Sequence, residues 1–406
     1  MKLVKDSFLY LLGDILVKII PFLLLPYLTN TLGSEDFGRL SLFQFYISFT
    51  SILFGATQGG ILSKYYYKYG KKTIGLIVSN ANFYSLFSSL LCSFVLYQIY
   101  NEEIYFLIIA IALTTELYLS QLTLRICQKN VKAYVVINVF YSATSIALTF
   151  TLFSLCEPSV EMRLIAMFVS NITWFFLALK FKTENIKYSF SFRKRKLGYL
   201  YLVSIAPYLM LIQFTALLKG QVDRLYINEY YSLNELGAYS AAYQLAVPFT
   251  MVILSLNKAI QPRYFQLLKN GKLNFSKVKS LSIVVLILSC VFSLVTILIP
   301  ETVLFQILGI QDQNLKYFLV IFSIGNSTLA PYLLLTNYFV YVGKVKVVTI
   351  SSISGLLIYF IYLSFFANKG IVYLPYGTLI SNLFVSIVLY FCGGLTNVKE
   401  KKRIRV

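Results

Sequence analysis

Long apolar runs recur along the whole chain, and they constrain the fold more than any other feature of the sequence. Each run has about 20 residues, the length that an α-helix needs to cross the hydrocarbon core of a bilayer. Hydrophobic residues make up 58% of the 406 residues and charged residues only 13%, whereas soluble domains are about 25% charged. The sequence therefore predicts an all-α polytopic membrane protein.

We predict about twelve transmembrane helices, separated by short segments that contain Gly, Pro and charged residues. The predicted spans are residues 7–27, 40–62, 74–99, 104–124, 134–155, 164–179, 206–228, an eighth between Gly237 and Lys258, 281–299, 317–340, 347–366 and 371–391. The segment from Asn30 to Gly38 is predicted to be a turn, because two glycines punctuate it.

Basic residues collect in alternate loops. Residues 64–72, 180–196 and 263–279 are rich in Lys and Arg, whereas the opposite loops hold only Arg39, Arg163, Lys316 and Lys369. Basic loops remain in the cytoplasm under the positive-inside rule. We therefore expect a multi-pass protein of the bacterial cytoplasmic (inner) membrane with both termini cytoplasmic. This topology accounts for the net charge of +20, and no recognition module indicates nucleic-acid binding.

A weak internal repeat supports two similar halves. A shift of 199 residues lays Gly38 on Gly237 and Tyr27 on Tyr226. We predict an N-terminal six-helix half, residues 1–197, and a C-terminal six-helix half, residues 198–406, in the same orientation. Hydropathy alone would place the seventh span at residues 199–218. The repeat favours residues 206–228, which puts Lys219 near the middle of the bilayer.

Six charged residues lie inside predicted spans, where such groups are costly unless they face water, a partner or a ligand. They are Asp14 and Lys18 in the first span, Glu116 in the fourth, and Lys219, Asp223 and Arg224 in the seventh. Asp14–Lys18 and Lys219–Asp223 are spaced by four residues, so intrahelical ion pairs are one explanation. Arg224 is left over from such pairs, and its guanidinium suits bidentate phosphate binding. Lys258 lies at the end of the eighth span, where its ammonium is expected to extend to the membrane–water interface.

Two stretches carry a resemblance to a known family: LGSEDFGRLSLF after the first span and DRLYINEYYSLNELGAYSAAYQLAVPF across the seventh and eighth. They resemble the polysaccharide exporters, or Wzx-type flippases, of the multidrug/oligosaccharidyl-lipid/polysaccharide superfamily. The resemblance implies a MATE-like fold with two six-helix halves around a central cavity. It also implies a non-enzymatic transporter that moves undecaprenyl-diphosphate-linked oligosaccharide to the outer leaflet by alternating access.

The resemblance further implies roles for the intramembrane charges. Lys18, Lys219 and Arg224 would bind the diphosphate and sugar, and Asp14, Asp223 or Glu116 would couple transport to H⁺ or Na⁺. No cofactor is expected. The expected partners are the lipid-linked oligosaccharide, membrane lipids, and the polysaccharide polymerase with its chain-length machinery.

Two alternatives remain open at this point. A multidrug or cation antiporter of the same superfamily would favour a net acidic cavity, whereas basic residues match or outnumber carboxylates here. A polymerase or glycosyltransferase would need a large outer loop with catalytic residues, and the longest predicted outer loop has under about 20 residues. The chain has no histidine, which excludes a His-based metal site or a Ser-His-Asp triad.

Overall fold

The computed structural model describes the backbone of residues 2–55, 62, 65–66, 74–99, 102–128, 130–181 and 192–392. Side chains are described for these residues except 2–21, 99, 192–194, 197, 205, 208, 258–259 and 262. Within this part of the chain the structure is helical and contains no β-strand. The helices are α1 Lys2–Gly55, α2 Ile74–Ile99, α3 Glu103–Cys127, α4 Val131–Leu155, α5 Val160–Lys180, α6 Phe192–Gln221, α7 Asp223–Tyr230, α8 Leu233–Lys269, α9 Phe275–Ser293, α10 Glu301–Leu308, α11 Leu315–Ser327, α12 Leu329–Tyr341, α13 Val345–Phe366 and α14 Tyr376–Cys392.

Helix α1 is broken at a single residue. Gly33 has φ 75° and ψ 177°, and the residues on both sides of it are helical. A positive φ is accessible to glycine at little cost, because glycine has no Cβ. The predicted turn over residues 30–38 is therefore a sharp break at Gly33, and Gly38 lies inside a helix rather than in a loop.

Ten stretches of the described residues are long and apolar enough to cross a bilayer, and the bent helix α6 supplies an eleventh. The first of the ten, Phe22–Gly55, contains the break at Gly33, so α1 holds two of the predicted spans. The prediction of an all-α membrane protein with about twelve spans is confirmed.

Several helices depart from the predicted bounds. Helix α6 starts at Phe192 and bends by 43° between Ser204 and Leu209, where Pro207 supplies no backbone N–H. The tenth span consists of α11 and α12, which meet at Thr328, and helix α10 occupies part of the predicted loop before it. Helix α8 continues to Lys269, beyond the apolar run. Hydropathy misses such ends because a helix can continue into the polar region beside the bilayer.

The chain forms two compact units. The first comprises residues 1–32 and 39–217. In it, α5 packs against both α3 and α4, and α2 packs against α3. Its aromatic core includes Tyr118 and Trp174. The Tyr118 hydroxyl donates to Asn138 Oδ1 at 3.0 Å and Trp174 Nε1 donates to Thr144 Oγ1 at 2.8 Å, so these polar groups are satisfied among apolar side chains.

The second unit comprises residues 33–38 and 218–406. In it, α8 packs against α11, α9 against α12, and α13 against α14. Its core contains Phe275, Leu335, Phe339, Val385 and Leu389. The predicted division into two six-helix halves, between residues 197 and 198, rests on the internal repeat. It stays a prediction.

Candidate functional site

The candidate site in the second unit is built where the helix of the seventh span is interrupted. Helix α6 ends at Gln221 and α7 begins at Asp223. The N–H of Leu225 bonds to the carbonyl of Val222 at 3.0 Å, three residues back instead of four. Val222 itself keeps helical dihedral angles, φ −69° and ψ −23°, so the interruption is one tightened turn. Lys219 lies before it, and Asp223 and Arg224 lie after it.

Asp223 is buried, with 1% of its surface exposed. Its carboxylate accepts hydrogen bonds from the hydroxyl of Tyr239 and, at 3.0 Å, from the backbone N–H of Arg224. The hydroxyl of Tyr359 lies beside it without making a hydrogen bond of ordinary geometry. These donors offset part of the cost of burying a carboxylate.

Arg224 is also buried, with 4% of its surface exposed. Its guanidinium carbon lies 5.6 Å from the centroid of the Tyr243 ring, the geometry of a cation–π contact. The rings of Tyr239 and Tyr243 both pack edge-on against Phe322, at centroid distances of 4.9 and 5.2 Å. Two tyrosines of α8 thus contact the Asp223–Arg224 pair, and Phe322 of α11 packs against both of their rings.

Lys219 is partly buried, and its Nζ donates to Oδ1 of Asn382 on α14 at 3.1 Å. Asn382 Nδ2 in turn reaches the carbonyl of Gly325 at 3.5 Å. The ion pair between Lys219 and Asp223 considered from their spacing does not form: Lys219 bonds to Asn382, and the Asp223 carboxylate bonds to Tyr239 and the N–H of Arg224. Among the described residues, the ammonium of Lys219 is therefore held by a neutral amide rather than by a carboxylate.

Glu116 lies in the first unit, on α3. A Cβ at Gly55 would overlap the Glu116 carboxylate, so this side chain lies directly against the end of α1. None of the described side chains forms a hydrogen bond or an ion pair with it. Within the described part of the chain, no three Cys, Asp or Glu side chains come together as a metal site.

Three further predicted residues lie outside the described side chains. Asp14 and Lys18 belong to helix α1, and Lys258 belongs to α8. Their proposed roles, and the Asp14–Lys18 ion pair, stay predictions.

Two arginines that we assigned to loops are buried in the first unit. Arg163 is 8% exposed, and its Nη1 donates to Ser145 Oγ at 3.1 Å and Thr149 Oγ1 at 2.7 Å. Arg125 is fully buried and donates to the carbonyl of Ala178 at 2.5 Å, near the C-terminal end of α5. Both therefore connect helices inside the unit. Ser145 and Thr149 are one helical turn apart, so their hydroxyls face the same side of α4. This spacing could have predicted a buried polar partner for Arg163.

Sequence reasoning also missed the partners of the candidate site. Tyr239 and Tyr243 stand four residues apart on α8, so they face the same side, and this spacing could have identified them. Asn382 lies 163 residues from Lys219, and no local pattern relates them.

Comparison with known proteins identifies the family. The family described as "Polysaccharide biosynthesis protein" matches residues 3–268. The chain belongs to this family. Two relatives from Haemophilus influenzae are each 33% identical over 395 residues. "Lsg locus putative protein 1" aligns over 96% of this chain and 98% of its own length, and an "Uncharacterized membrane protein" aligns over 96% of each. The predicted relation to Wzx-type polysaccharide exporters is confirmed.

Solved structures show the fold. An inward-facing multidrug resistance transporter of the MATE family has a TM-score of 0.68 at 13% identity, with 98% of this chain and 96% of that one covered. The lipid II flippase MurJ in an inward closed conformation also has a TM-score of 0.68 at 13% identity, with 95% and 87% covered. The protein therefore has the MATE-like fold of this transporter superfamily. Because the neighbours include both a multidrug transporter and a lipid flippase, the fold leaves the substrate open.

Proposed function

We propose that this protein flips undecaprenyl-diphosphate-linked oligosaccharide repeat units from the cytoplasmic to the outer leaflet of the bacterial inner membrane by alternating access. Both termini face the cytoplasm in this proposal. Membership of the polysaccharide biosynthesis family supports a substrate from that pathway, and the transporter fold supports movement rather than synthesis.

The ammonium of Lys219 carries the proposal. A diphosphate that crosses the bilayer interior needs a cation, because an uncompensated anion is very costly in a low-dielectric medium. A lysine already paired with a carboxylate would have little charge to offer. Lys219 is bonded to the neutral amide of Asn382, so a phosphate oxygen can replace that amide without breaking an ion pair.

Arg224 and Lys18 complete the proposed cationic set. Arg224 is buried and lies against the ring of Tyr243 in this structure, so its contact with substrate requires a conformation that exposes the guanidinium. Lys18 is assigned to the same set from its position in the first span.

For ion coupling we propose Asp14, Asp223 and Glu116, with H⁺ or Na⁺ as the coupling ion and no other cofactor. Glu116 is the strongest candidate, because no described side chain already donates to it. Asp223 must exchange the Tyr239 hydroxyl for the ion. The polysaccharide polymerase and its chain-length machinery are proposed as partners at the outer face.

Lys219→Ala tests the proposal in the natural host lacking its chromosomal copy. Losing a hydrogen bond to a charged group costs about 1.5–3 kcal/mol, so we expect export to fall roughly ten- to a hundredfold. Lipid-linked oligosaccharide should accumulate in membrane extracts while surface polysaccharide disappears. Lys219→Arg keeps the charge and should retain part of the export.

Lys346→Ala, at an exposed position on α13, is the matched control and should export normally. Normal export by Lys219→Ala, at equal protein abundance in the membrane, would contradict the assignment of Lys219 to the diphosphate.

A further inference from the structure

A cleft of about 630 Å³ lies between α2 and the first turns of α6, within the first unit. Of the predicted site residues whose side chains the structure describes, Glu116, Lys219, Asp223 and Arg224, none lines it. Its size is within the range of about 300–1,000 Å³ that is usual for small-ligand sites. Each helix begins at a basic segment, residues 64–72 for α2 and residues 180–196 for α6. The positive-inside rule predicts that both segments are cytoplasmic.

A close approach of the two helices builds the cleft. Asn80 Nδ2 on α2 donates to the carbonyl of Arg195 on α6 at 2.8 Å. A Cβ at Gly198 would lie 2.6 Å from Asn80 Nδ2, so a larger residue there would push the helices apart. This seam fixes α6 against α2 and leaves the cleft beside it, with walls from both helices.

The walls are polar near the helix starts and apolar farther along α2. Arg195 and Lys196 stand on α6, in its fourth and fifth positions. Phe83 and Leu86 are 64% and 45% exposed. At 1.5 Å per residue they lie roughly 14 and 18 Å along α2 from its first residue. In a membrane-spanning unit, apolar side chains with this exposure contact lipid tails, and basic residues near the helix start lie at headgroup depth.

Asn82, which lines the cleft, carries an unsatisfied hydrogen-bond acceptor. Asn82 Oδ1 is shielded from solvent and makes no hydrogen bond. Leaving a buried acceptor unsatisfied costs about 1–3 kcal/mol, which favours a ligand that donates to it. The oxygens of an ionised phosphodiester cannot donate, so a phosphodiester ligand needs a hydroxyl or an amine in addition to its anionic group.

We propose that this cleft binds an anionic glycerophospholipid with a hydroxyl-bearing headgroup, of the phosphatidylglycerol type, from the cytoplasmic leaflet. The phosphate lies against Arg195 and Lys196, and an acyl chain runs along Phe83 and Leu86. A headgroup hydroxyl donates to Asn82 Oδ1 once rotation of the side-chain amide turns that atom into the cleft. Basic pockets between transmembrane helices on the cytoplasmic side commonly hold anionic headgroups. The proposal does not depend on the identity of the transported substrate.

The test is native mass spectrometry of the delipidated full-length protein, titrated with dioleoyl-phosphatidylglycerol. Each basic residue near an anionic lipid contributes a factor of about five in affinity. We expect Arg195→Gln/Lys196→Gln to raise the apparent dissociation constant about 25-fold. Lys346→Gln, an exposed basic residue elsewhere, should leave it unchanged. Dioleoyl-phosphatidylcholine, which is zwitterionic, should bind weakly to all three proteins.

Asn82→Leu separates the hydroxyl contact from the charge. It should weaken the binding of phosphatidylglycerol but not of dioleoyl-phosphatidylethanol, an anionic phosphodiester whose headgroup bears no hydroxyl. Equal phosphatidylglycerol binding by the wild type and the double variant, with both monodisperse, would overturn the site. Binding of undecaprenyl phosphate but not of phosphatidylglycerol, with the same loss in the double variant, would overturn the phospholipid assignment and identify the carrier lipid as the occupant.

Discussion

Gly38 and Gly237 lie backbone to backbone in the second unit: a Cβ built on Gly38 would be 2.9 Å from the amide nitrogen of Gly237. The contact is reciprocal. A Cβ on Gly38 would overlap the carbonyl oxygen of Leu233, and a Cβ on Gly237 would overlap the carbonyl oxygen of Ser34. Because the same shift of 199 residues relates Gly38 to Gly237 and Ser34 to Leu233, equivalent positions of the repeat contact each other in the same way.

Alanine at either glycine should weaken this contact, because the backbone atoms that a Cβ would strike cannot rotate away. We expect Gly38→Ala and Gly237→Ala each to lower the free energy of unfolding by about 1–3 kcal/mol. The measurement is thermal unfolding of the detergent-solubilised protein. Gly220→Ala is the control, because its Cβ would meet the Tyr243 hydroxyl at an ordinary 3.4 Å. An unchanged midpoint for both variants would show that the helices adjust freely there.

Arg224→Ala should abolish surface polysaccharide while the protein reaches the membrane at normal abundance. Arg224→Lys should recover only part of the export, because an ammonium cannot bind phosphate in bidentate geometry. The alternative is that Arg224 only compensates the buried carboxylate of Asp223. Under that alternative the double variant Asp223→Ala/Arg224→Ala restores export, since no uncompensated charge is left. Normal export by the double variant would therefore exclude substrate binding by Arg224.

Glu116→Gln should uncouple transport from its driving ion, because the amide keeps the shape of the side chain but neither binds a proton nor attracts Na⁺. Asp14→Asn and Asp223→Asn test the other two candidate carboxylates in the same way. The measurement is export while the proton and sodium gradients are collapsed one at a time. Glu157→Gln, in an exposed segment between α4 and α5, is the control. If a variant retains full export and the wild-type dependence on the gradients, its carboxylate has no coupling role.

Reporter fusions test the topology. Fusions after Lys72, Lys196 and Lys272 should report the cytoplasm, because basic segments are retained there. Fusions near Glu102, Glu161 and Asp312 should report the external side. An external signal after Lys196 would contradict both the even number of spans in the first half and the shared orientation of the two halves.

The sequence alone determined the membrane class, about twelve helical spans and the family. Hydrophobicity over about 20 residues is a local property, so it survives any arrangement of the helices. The motifs beginning at Leu32 and Asp223 are local as well, and the match over residues 3–268 agrees with them. Periodicity also suffices for pairs on one helix, such as Tyr239 and Tyr243.

Only the tertiary structure decided which charged groups meet which partners. Spacing suggested that Lys219 pairs with Asp223, but packing of α14 brings Asn382 to the lysine, and Tyr239 of α8 donates to the carboxylate. Charge patterning assigned Arg163 to a loop, yet α4 offers it buried hydroxyls. Such contacts depend on helix rotation and long-range packing, because an intramembrane charge is stabilised by whatever polar atom lies within reach. Hydropathy shows that burying such a charge is costly, but the polar atom that offsets this cost is brought close only by the packing of the folded chain.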